Sequence, residues 1–269
     1  MTEGFLSGRT ALVTGSVQGI GLSIACALAS QGVRVGLHGL ADAAAIDTAL
    51  RAASDAGAPE VRFFAGDLRD PGAIDAMMDA VGDWGAADIV VNNAGVQRVA
   101  ALAAVTRSLW DDVIGVNLSA AYQTMHRALP VMAERRYGRV INIASVHGLV
   151  GSIDKAPYVA SKFGLVGLSK AAALEYAAVG SRDSGGVTVN CLCPGWTETP
   201  LLGPQLDARA TALGGSRDDA VASLLAEKQP SRRVSQPADI ASLAVWLCGR
   251  SAHNVTGTAL PVDGGWTAQ

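Results

Sequence analysis

The sequence predicts an α/β fold in one domain, a doubly wound parallel sheet with helices on both faces. Short strand-like runs alternate with helix-like segments along the chain, and these runs are nearly continuously apolar. A chain of 269 residues that is 49% hydrophobic also has enough apolar surface for one substantial core. We find no linker, low-complexity tract or internal repeat strong enough to divide the sequence.

The first half of the chain begins with a strand, a glycine turn and a helix. Thr10–Val33 carries no formal charge, which would also fit a membrane span, but glycine, serine and glutamine residues interrupt it. It therefore resolves into a strand at Ala11–Val13 and a helix that begins near Gly19. Further strands are expected at Val33–Leu37, Val61–Phe64 and Ile89–Asn92, and helices at Ala43–Ala56 and Ile74–Val81.

The second half continues this alternation. We expect a long helix from about Trp110 to Arg136, a strand at Val140–Ile143, a helix from Tyr158 to about Ala178, a strand at Val187–Leu192, helical stretches within Leu206–Glu227 and Pro237–Leu247, and a last strand at Ala259–Val262. Repeated strand-then-helix units give a parallel sheet, and such sheets bind ligands beyond the carboxyl ends of their strands.

Charge and cysteine content disfavour several classes of protein. The formal net charge is -3 and the basic residues are scattered, so we expect neither a nucleic acid partner nor a membrane partner. The four cysteines have no metal-site spacing, so no metal is expected, and no secretory signal precedes the first strand. They are predicted to be reduced, buried thiols of a cytoplasmic protein: Cys26, Cys191, Cys193 and Cys248.

Three glycines lie in the turn that follows the first strand. Gly15, Gly19 and Gly21 would let the backbone approach a pyrophosphate, and the N-terminus of the next helix supplies unpaired N–H groups and partial positive charge. The same glycines could instead satisfy positive φ angles or close packing. Asp67 could accept a hydrogen bond from an adenine amine and Asn93–Gly95 could contact the adenosine half, although such residues also serve as helix caps and turns.

A second motif lies at the start of the helix that follows the fifth strand. Tyr158 and Lys162 are four residues apart and project from one helix face, while Ser145 follows the strand at the carboxyl end of the sheet. A neighbouring ammonium is expected to lower the pKa of the phenol. Tyr158 could then remove a hydroxyl proton during hydride transfer and Ser145 could hold the oxyanion. Taken singly, the pair also fits an ordinary amphipathic helix.

Taken together, these motifs resemble the full series of the short-chain dehydrogenase/reductase family, over nearly the whole chain. The resemblance implies a Rossmann-type fold and catalytic residues Asn117, Ser145, Tyr158 and Lys162. In that family Asn117 would bend the long helix and hold a water that relays protons from Lys162, while Lys162 would bind the nicotinamide ribose and Thr199 the carboxamide. The implied cofactor-binding residues are Gly15, Gln18, Gly19, Ile20, Gly21, Asp67, Leu68, Asn93, Gly95, Pro194 and Thr199.

Longer stretches, such as Asn142–Val150 and Val262–Trp266, are similar to a branch of this family, the bacterial D-3-hydroxybutyrate dehydrogenases. That resemblance places Gln97, His147, Lys155 and Gln205 around a substrate carboxylate, with Trp196 and Trp266 closing the pocket. Charge-assisted hydrogen bonds and aromatic walls suit a small anion. Singly, each could instead be a solvated charge, a structural histidine or core packing. Departures from the branch are Arg98, Ser161, Phe163 and an extra loop at Ser181–Gly186.

The end of the second strand bears on the choice of cofactor. A carboxylate there would bind a ribose 2′-hydroxyl, and an arginine would bind a 2′-phosphate. The segment His38–Ala41 contains neither arginine nor lysine, so NAD is favoured, although Asp42 lies late for the usual contact and His38 could contribute positive charge.

The sequence leaves two alternative functions open. One is a broader carbonyl reductase of the same family, for example on a 3-oxoacyl thioester, and the other is a non-catalytic, cofactor-binding regulator. The resemblance also implies a homotetramer built on paired long helices, and a helical substrate region at about residues 196–230.

Overall fold

The first strand shows how apolar runs build the sheet. In β1 (Thr10–Val13) Ala11 and Val13 pack into the core on one face, and Leu12 packs into the core on the other. All three are fully buried, because successive side chains of a strand point to opposite faces. The computed structural model describes residues 5–268, and within that range helices cover both faces of the sheet.

Seven strands form the sheet in the order β3-β2-β1-β4-β5-β6-β7, and every adjacent pair is parallel. The remaining strands are β2 (Arg34–Leu37), β3 (Val61–Phe63), β4 (Ile89–Asn92), β5 (Tyr137–Ile143), β6 (Gly186–Pro194) and β7 (Ala259–Val262). The strand order reverses between β1 and β4, where doubly wound sheets open a crevice. The predicted fold class is confirmed.

The helices are divided between the two faces. They are α1 (Gly19–Ala29), α2 (Ala43–Asp55), α3 (Pro71–Asp83), α4 (Arg107–Ile114), α5 (Ala120–Glu134), α6 (Ala156–Tyr176), α7 (Gly203–Leu213), α8 (Arg217–Lys228) and α9 (Pro237–Cys248). Helices α1, α2 and α9 bury apolar side chains on one face of the sheet, and α3, α5 and α6 do so on the other. Between β6 and α9, α7 and α8 share a small core with Trp196.

The predicted long helix, from about Trp110 to Arg136, is found as an uninterrupted helical stretch from Arg107 to Glu134, but it is not α-helical throughout. The helix is divided by a π-helical segment, Gly115–Ser119, between α4 and α5. Within it, Asn117 exchanges two hydrogen bonds with the backbone of Val96: its Oδ1 accepts from the N–H at 2.8 Å and its Nδ2 donates to the carbonyl at 2.9 Å. These tertiary bonds accompany an insertion that hydrophobic periodicity does not reveal.

Two smaller expectations also need correction. Helix α3 begins at Pro71 rather than Ile74, because Asp70 caps it and a proline fits its first turn. Cys26 is only half-buried, whereas the other three cysteines are buried, and all four are free thiols. No helix within residues 5–268 is both long and apolar enough to cross a membrane.

Candidate active site

A cleft of about 490 Å³ opens at the carboxyl ends of the strands. Every site residue predicted from the sequence lines it except Gly21 and Asn117, which contact residues that do. The fold therefore brings the predicted cofactor, catalytic and substrate residues to one place, as the reversal of strand order requires.

The glycine turn between β1 and α1 forms one wall of this cleft. Gly15 has a φ of +60°, and a Cβ atom there would lie 2.7 Å from Cα of Ala94, so only glycine fits. The side chain of Asn93 donates to the carbonyls of Thr14 and Gly15, at 3.0 and 2.9 Å, and braces the turn. Gln18 makes no side-chain capping bond to α1, which leaves N–H groups of the first turn for a pyrophosphate. The turn fits a dinucleotide cofactor.

His38 is buried behind the turn and carries two backbone hydrogen bonds. Its Nε2 lies 2.9 Å from the carbonyl oxygen of Gly66 and donates to it, while its Nδ1 accepts from the N–H of Gly15 at 3.4 Å. This pattern requires a neutral ring. Burial is the main cause that lowers the pKa of His38, and it outweighs the opposite effects of the Gly66 bond and the Asp67 charge. His38 therefore supplies no positive charge to the cleft at pH 7.

Asp67, the predicted adenine contact, is paired with Arg69. The Nη2 atom of Arg69 lies 2.6 Å from Oδ2 of Asp67, and hydrogen bonding to Arg69 lowers the pKa of the carboxyl group to about 2. The Nη1 atom of Arg69 also lies 3.7 Å from Oδ1 of Asp112, and the Nη2 atom of Arg98 lies 3.9 Å from Oδ2 of the same carboxylate. The two carboxylates that line the cleft are thus both neutralised by arginine.

Ser145, Tyr158 and Lys162 all line the cleft. Ser145 follows β5, and its Oγ accepts the N–H of His147 at 3.1 Å. Tyr158 and Lys162 lie one turn apart on α6, and both are buried. The Nζ of Lys162 donates to the carbonyl of Ile143 at 2.8 Å, and this bond fixes the position of the ammonium at the end of β5.

The expected lowering of the Tyr158 pKa is wrong. Burial raises the pKa of the phenol, and only the hydroxyl of Ser145 acts in the lowering direction. Burial also lowers the pKa of Lys162 to about 8, so its ammonium is largely retained at pH 7. Desolvation outweighs the attraction between an ammonium and a phenolate here, because both groups lie in the protein interior.

Asn117 is positioned from two sides. Besides its bonds to Val96, its Nδ2 donates to the Oγ of Ser161 at 3.1 Å. Ser161 in turn donates to the carbonyl of Tyr158 at 2.7 Å. A Cβ atom on Gly95 would lie 3.4 Å from Oδ1 of Asn117 and 3.7 Å from Nζ of Lys162, so the amide and the ammonium approach the same point.

The substrate end of the cleft combines a cation with aromatic walls. The Nζ of Lys155 donates to Oε1 of Gln205 at 2.9 Å and lies 5.5 Å from the ring centroid of Trp196. The rings of Trp196 and Trp266 are 5.4 Å apart. His147 lies 5.5 Å from the ring of Trp266, edge to face. Gln97 lines the same cleft.

Both basic groups of this pocket are buried. Burial lowers the pKa of Lys155. Burial and, second, the charge of Lys155 lower the pKa of His147 to about 4, so this ring is neutral at pH 7. The hydrogen-bond partner of Lys155 is a neutral amide, which leaves its positive charge available to an anion.

Several contacts in and around the cleft were not foreseen from the sequence. Two of them join residues that are remote in sequence: the bond of His38 to the glycine turn and the bridge from Ser161 to Asn117. The third is the pairing of Arg69 with Asp67, which depends on side-chain conformations that the sequence does not give. Asp42, considered for the ribose, instead caps α2 by accepting from the N–H of Ala45 at 2.8 Å. Over the described range, His, Cys, Asp and Glu side chains form no cluster of three or more that could hold a metal.

The chain is similar to known proteins over nearly its whole length. A family model described as Enoyl-(Acyl carrier protein) reductase matches residues 15–267. The chain is 45% identical to a D-beta-hydroxybutyrate dehydrogenase of Cupriavidus necator, with 98% of this chain and 100% of that protein covered. It is 41% identical to a D-beta-hydroxybutyrate dehydrogenase of Rhizobium meliloti, covering 97% and 99%. A crystal structure of a variant actinorhodin polyketide ketoreductase with NADPH is 36% identical, with a TM-score of 0.88 and coverage of 97% and 98%.

Proposed function

Because this chain belongs to the short-chain dehydrogenase/reductase family, we propose that it catalyses the NAD-dependent oxidation of D-3-hydroxybutyrate, a short 3-hydroxy acid, to acetoacetate. One observation carries the substrate assignment: the buried cation of Lys155 lies in the same cleft as Tyr158, beside Trp196, whose ring is 5.4 Å from that of Trp266. The full-length similarity to two D-beta-hydroxybutyrate dehydrogenases supports it.

The catalytic residues divide the proton chemistry among them. A bound nicotinamide supplies the hydride acceptor. As hydride leaves the substrate carbon, Tyr158 takes the proton of the hydroxyl group on that carbon, and the hydroxyl of Ser145 holds the oxygen. Tyr158 must be deprotonated to act in this way. Burial opposes its ionisation, while the hydroxyl of Ser145 and the nearby ammonium of Lys162 would favour it. By family resemblance, Asn117 holds a water that passes the proton onward from Lys162.

The substrate pocket is suited to a short carboxylate. Lys155 can donate to a carboxylate oxygen, and the amides of Gln97 and Gln205 are neutral donors for the same group. Trp196 and Trp266 exclude water from the carbon chain next to the reacting atoms. The region at residues 196–230, which includes α7 and α8, would cover the substrate.

NAD is the proposed cofactor because the ribose end of the site lacks a free cation among the described lining residues. His38 is neutral and fully committed to backbone groups, Arg69 is paired with Asp67, and Arg98 faces Asp112. A 2′-phosphate would therefore meet no unpaired positive charge.

We further propose a cytoplasmic homotetramer active in ketone body metabolism. Free thiols suit a reducing compartment. Large apolar side chains are exposed on the long helices expected to pair, including Tyr122 on α5 and Phe163 and Leu174 on α6.

A second candidate function is reduction of a 3-oxoacyl thioester. Its support is the full-length similarity to the polyketide ketoreductase crystallised with NADPH. This function would need an open cleft rather than a closed anion pocket. A non-catalytic regulator is disfavoured, because Ser145, Tyr158 and Lys162 are all present and converge.

The test is a substrate panel with purified protein. NADH formation is measured with both enantiomers of 3-hydroxybutyrate, longer 3-hydroxy acids and neutral alcohols, and NADP replaces NAD in a parallel series. We expect the D enantiomer of 3-hydroxybutyrate with NAD to give the highest kcat/KM. Preference for a 3-oxoacyl thioester with NADPH would establish the second candidate instead.

A further inference from the structure

Gln229 is a buried residue next to the substrate pocket that does not line it. It is the C-cap residue of α8, where its backbone N–H donates to the carbonyl of Leu225 at 2.9 Å. Its side chain is only 1% exposed, and it lies outside the set of residues that form the cleft. A polar side chain buried to this degree needs partners for both ends of its amide.

Both ends of the amide are hydrogen-bonded to backbone groups, one at Trp196 and the other at Arg233. Oε1 accepts the N–H of Trp196 at 3.2 Å, and Nε2 donates to the carbonyl of Arg233. The approach is close: a Cβ atom on Gly195 would lie 2.9 Å from Oε1. The glycine before Trp196 thus leaves the space that the amide occupies.

The residues after Gln229 hold the turn that carries the second tryptophan. The N–H of Ser231 donates to the carbonyl of Gly264 at 2.9 Å, and Pro230 packs below Gly265. Trp266 follows directly. The segment 229–231, which follows α8 directly, therefore contacts both the turn that carries Trp196 and the turn that carries Trp266.

We propose that Gln229 is a positioning residue, whose amide fixes Trp196 over the substrate and couples α8 to the aromatic wall. The kinetic part of this inference rests on the proposed function. Removing the amide leaves the buried N–H of Trp196 without its acceptor, which favours displacement of that backbone. Substrate binding should suffer more than the chemical step, because under the proposed function Trp196 would lie against the carbon chain of the substrate and takes no part in the proton relay.

The test pairs two isosteric substitutions of buried amides. Gln229→Met removes the bridge to Trp196. Asn190→Leu removes a comparable bridge in the middle of β6, where Asn190 donates to the carbonyl of Val255 and accepts from the N–H of Thr258. Hydrogen exchange of the peptide containing Trp196, thermal unfolding and steady-state kinetics are measured for both variants.

In Gln229→Met we expect amide exchange at Trp196 to be about tenfold faster, the KM for 3-hydroxybutyrate to rise about tenfold, and kcat and the KM for NAD to change less than about threefold. Asn190→Leu should lower the melting temperature without these changes. Gln229→Glu should approach wild-type KM as the pH is lowered from about 8 to about 6, because a protonated carboxyl group restores the donor to Arg233.

Unchanged exchange at Trp196 in Gln229→Met would overturn the proposal, as would an identical rise in KM in Asn190→Leu. If wild-type protein fails to oxidise 3-hydroxybutyrate, the proposed function fails, and the exchange measurement alone decides the role of Gln229. If Gln229→Met does not fold, the pH dependence of Gln229→Glu decides it.

Discussion

The Nζ atom of Lys162 lies 5.6 Å from the centroid of the Tyr158 ring, one helical turn away on the same face of α6. Both side chains are buried. Burial raises the pKa of Tyr158 and lowers the pKa of Lys162, so it favours the neutral form of each group. The nearby ammonium favours the phenolate, while the desolvation of both groups opposes their charged forms. The phenol of Tyr158 is therefore protonated at pH 7, although it lies near a cation that favours its ionisation.

Substituting Tyr158→Phe should remove the proton acceptor and leave the ring packing intact. We expect turnover to fall on the order of 10²–10⁴-fold, the usual scale for the loss of general acid–base catalysis. Circular dichroism and NADH binding should match the wild type. Near-normal turnover in this variant would show that another group carries the proton.

The pH dependence of stability should reveal the buried His147. Its pKa is about 4 in the folded protein and ordinarily 6.5, so the unfolded chain binds more protons between these values. Stability is therefore fully present above pH 6.5 and is lost as the pH falls toward 4, by about 3 kcal/mol at most for this one group. Thermal unfolding of the unliganded protein across this range measures it.

His147→Asn is the matched comparison for that titration. The variant should lose stability less steeply between pH 6.5 and 4 than the wild type, although His38 still contributes in the same direction. Carboxylates such as Asp67, with a pKa of about 2, titrate below this window. Parallel stability curves for the two proteins would mean that His147 is not held neutral by burial.

Cofactor choice should change with a single charge at Leu40. This side chain is 70% exposed and lines the cleft two residues after His38. Leu40→Arg should lower the KM for NADP by roughly 10- to 150-fold, because a charged donor to a phosphate contributes about 1.5–3 kcal/mol. Leu40→Gln, which adds length without charge, should change it little. Efficient use of NADP by the wild type would refute the assignment of NAD.

The resting assembly should be a tetramer. Light scattering at micromolar protein is expected to give four times the 27.4 kDa chain mass. Leu174→Glu, on the exposed face of α6, should give smaller species, whereas Ile153→Glu, equally exposed on a loop, should not. A wild-type protein with the mass of one chain would rule out the tetramer.

Most of the sheet was predictable from the sequence because strands such as β1 and β4 are short apolar runs that are buried on both faces. β4 and β7 have the expected bounds, and the other strands differ by a few residues at their ends. Hydrophobic periodicity could not reveal the π-helical segment around Asn117, because what accompanies it is a pair of hydrogen bonds to Val96, a tertiary contact.

The sequence predicted which residues form the candidate site better than it predicted their pKa shifts and hydrogen bonds. All but two of the site residues predicted from the motifs and the family resemblance line the cleft, including Tyr158 and Lys155. The motifs could not give the sign of the Tyr158 pKa shift, which depends on burial. Nor could they show that both nitrogens of His38 bond to backbone, since Gly15 and Gly66 are far away in sequence.

Lys155 provides the sharpest test of the substrate. Its ammonium is held 2.9 Å from Gln205 and faces the pocket without a carboxylate partner among the described residues. If it binds the substrate carboxylate, Lys155→Ala should lower kcat/KM for 3-hydroxybutyrate by roughly 10- to 150-fold, because a hydrogen bond to a charged group contributes about 1.5–3 kcal/mol. The affinity for NAD should hardly change. Lys170→Ala, an exposed lysine farther along α6, is the matched control.

A neutral alcohol of the same chain length separates anion recognition from general damage to the site. The alcohol lacks the group that Lys155 binds, so its kcat/KM should be low in the wild type and nearly unchanged in Lys155→Ala. Steady-state kinetics of both proteins with both substrates form a double comparison whose interaction energy belongs to the ammonium and the carboxylate. If the wild type oxidises the acid no better than the alcohol, or if the substitution weakens both equally, the pocket does not recognise a carboxylate, and the broader carbonyl reductase becomes the better description.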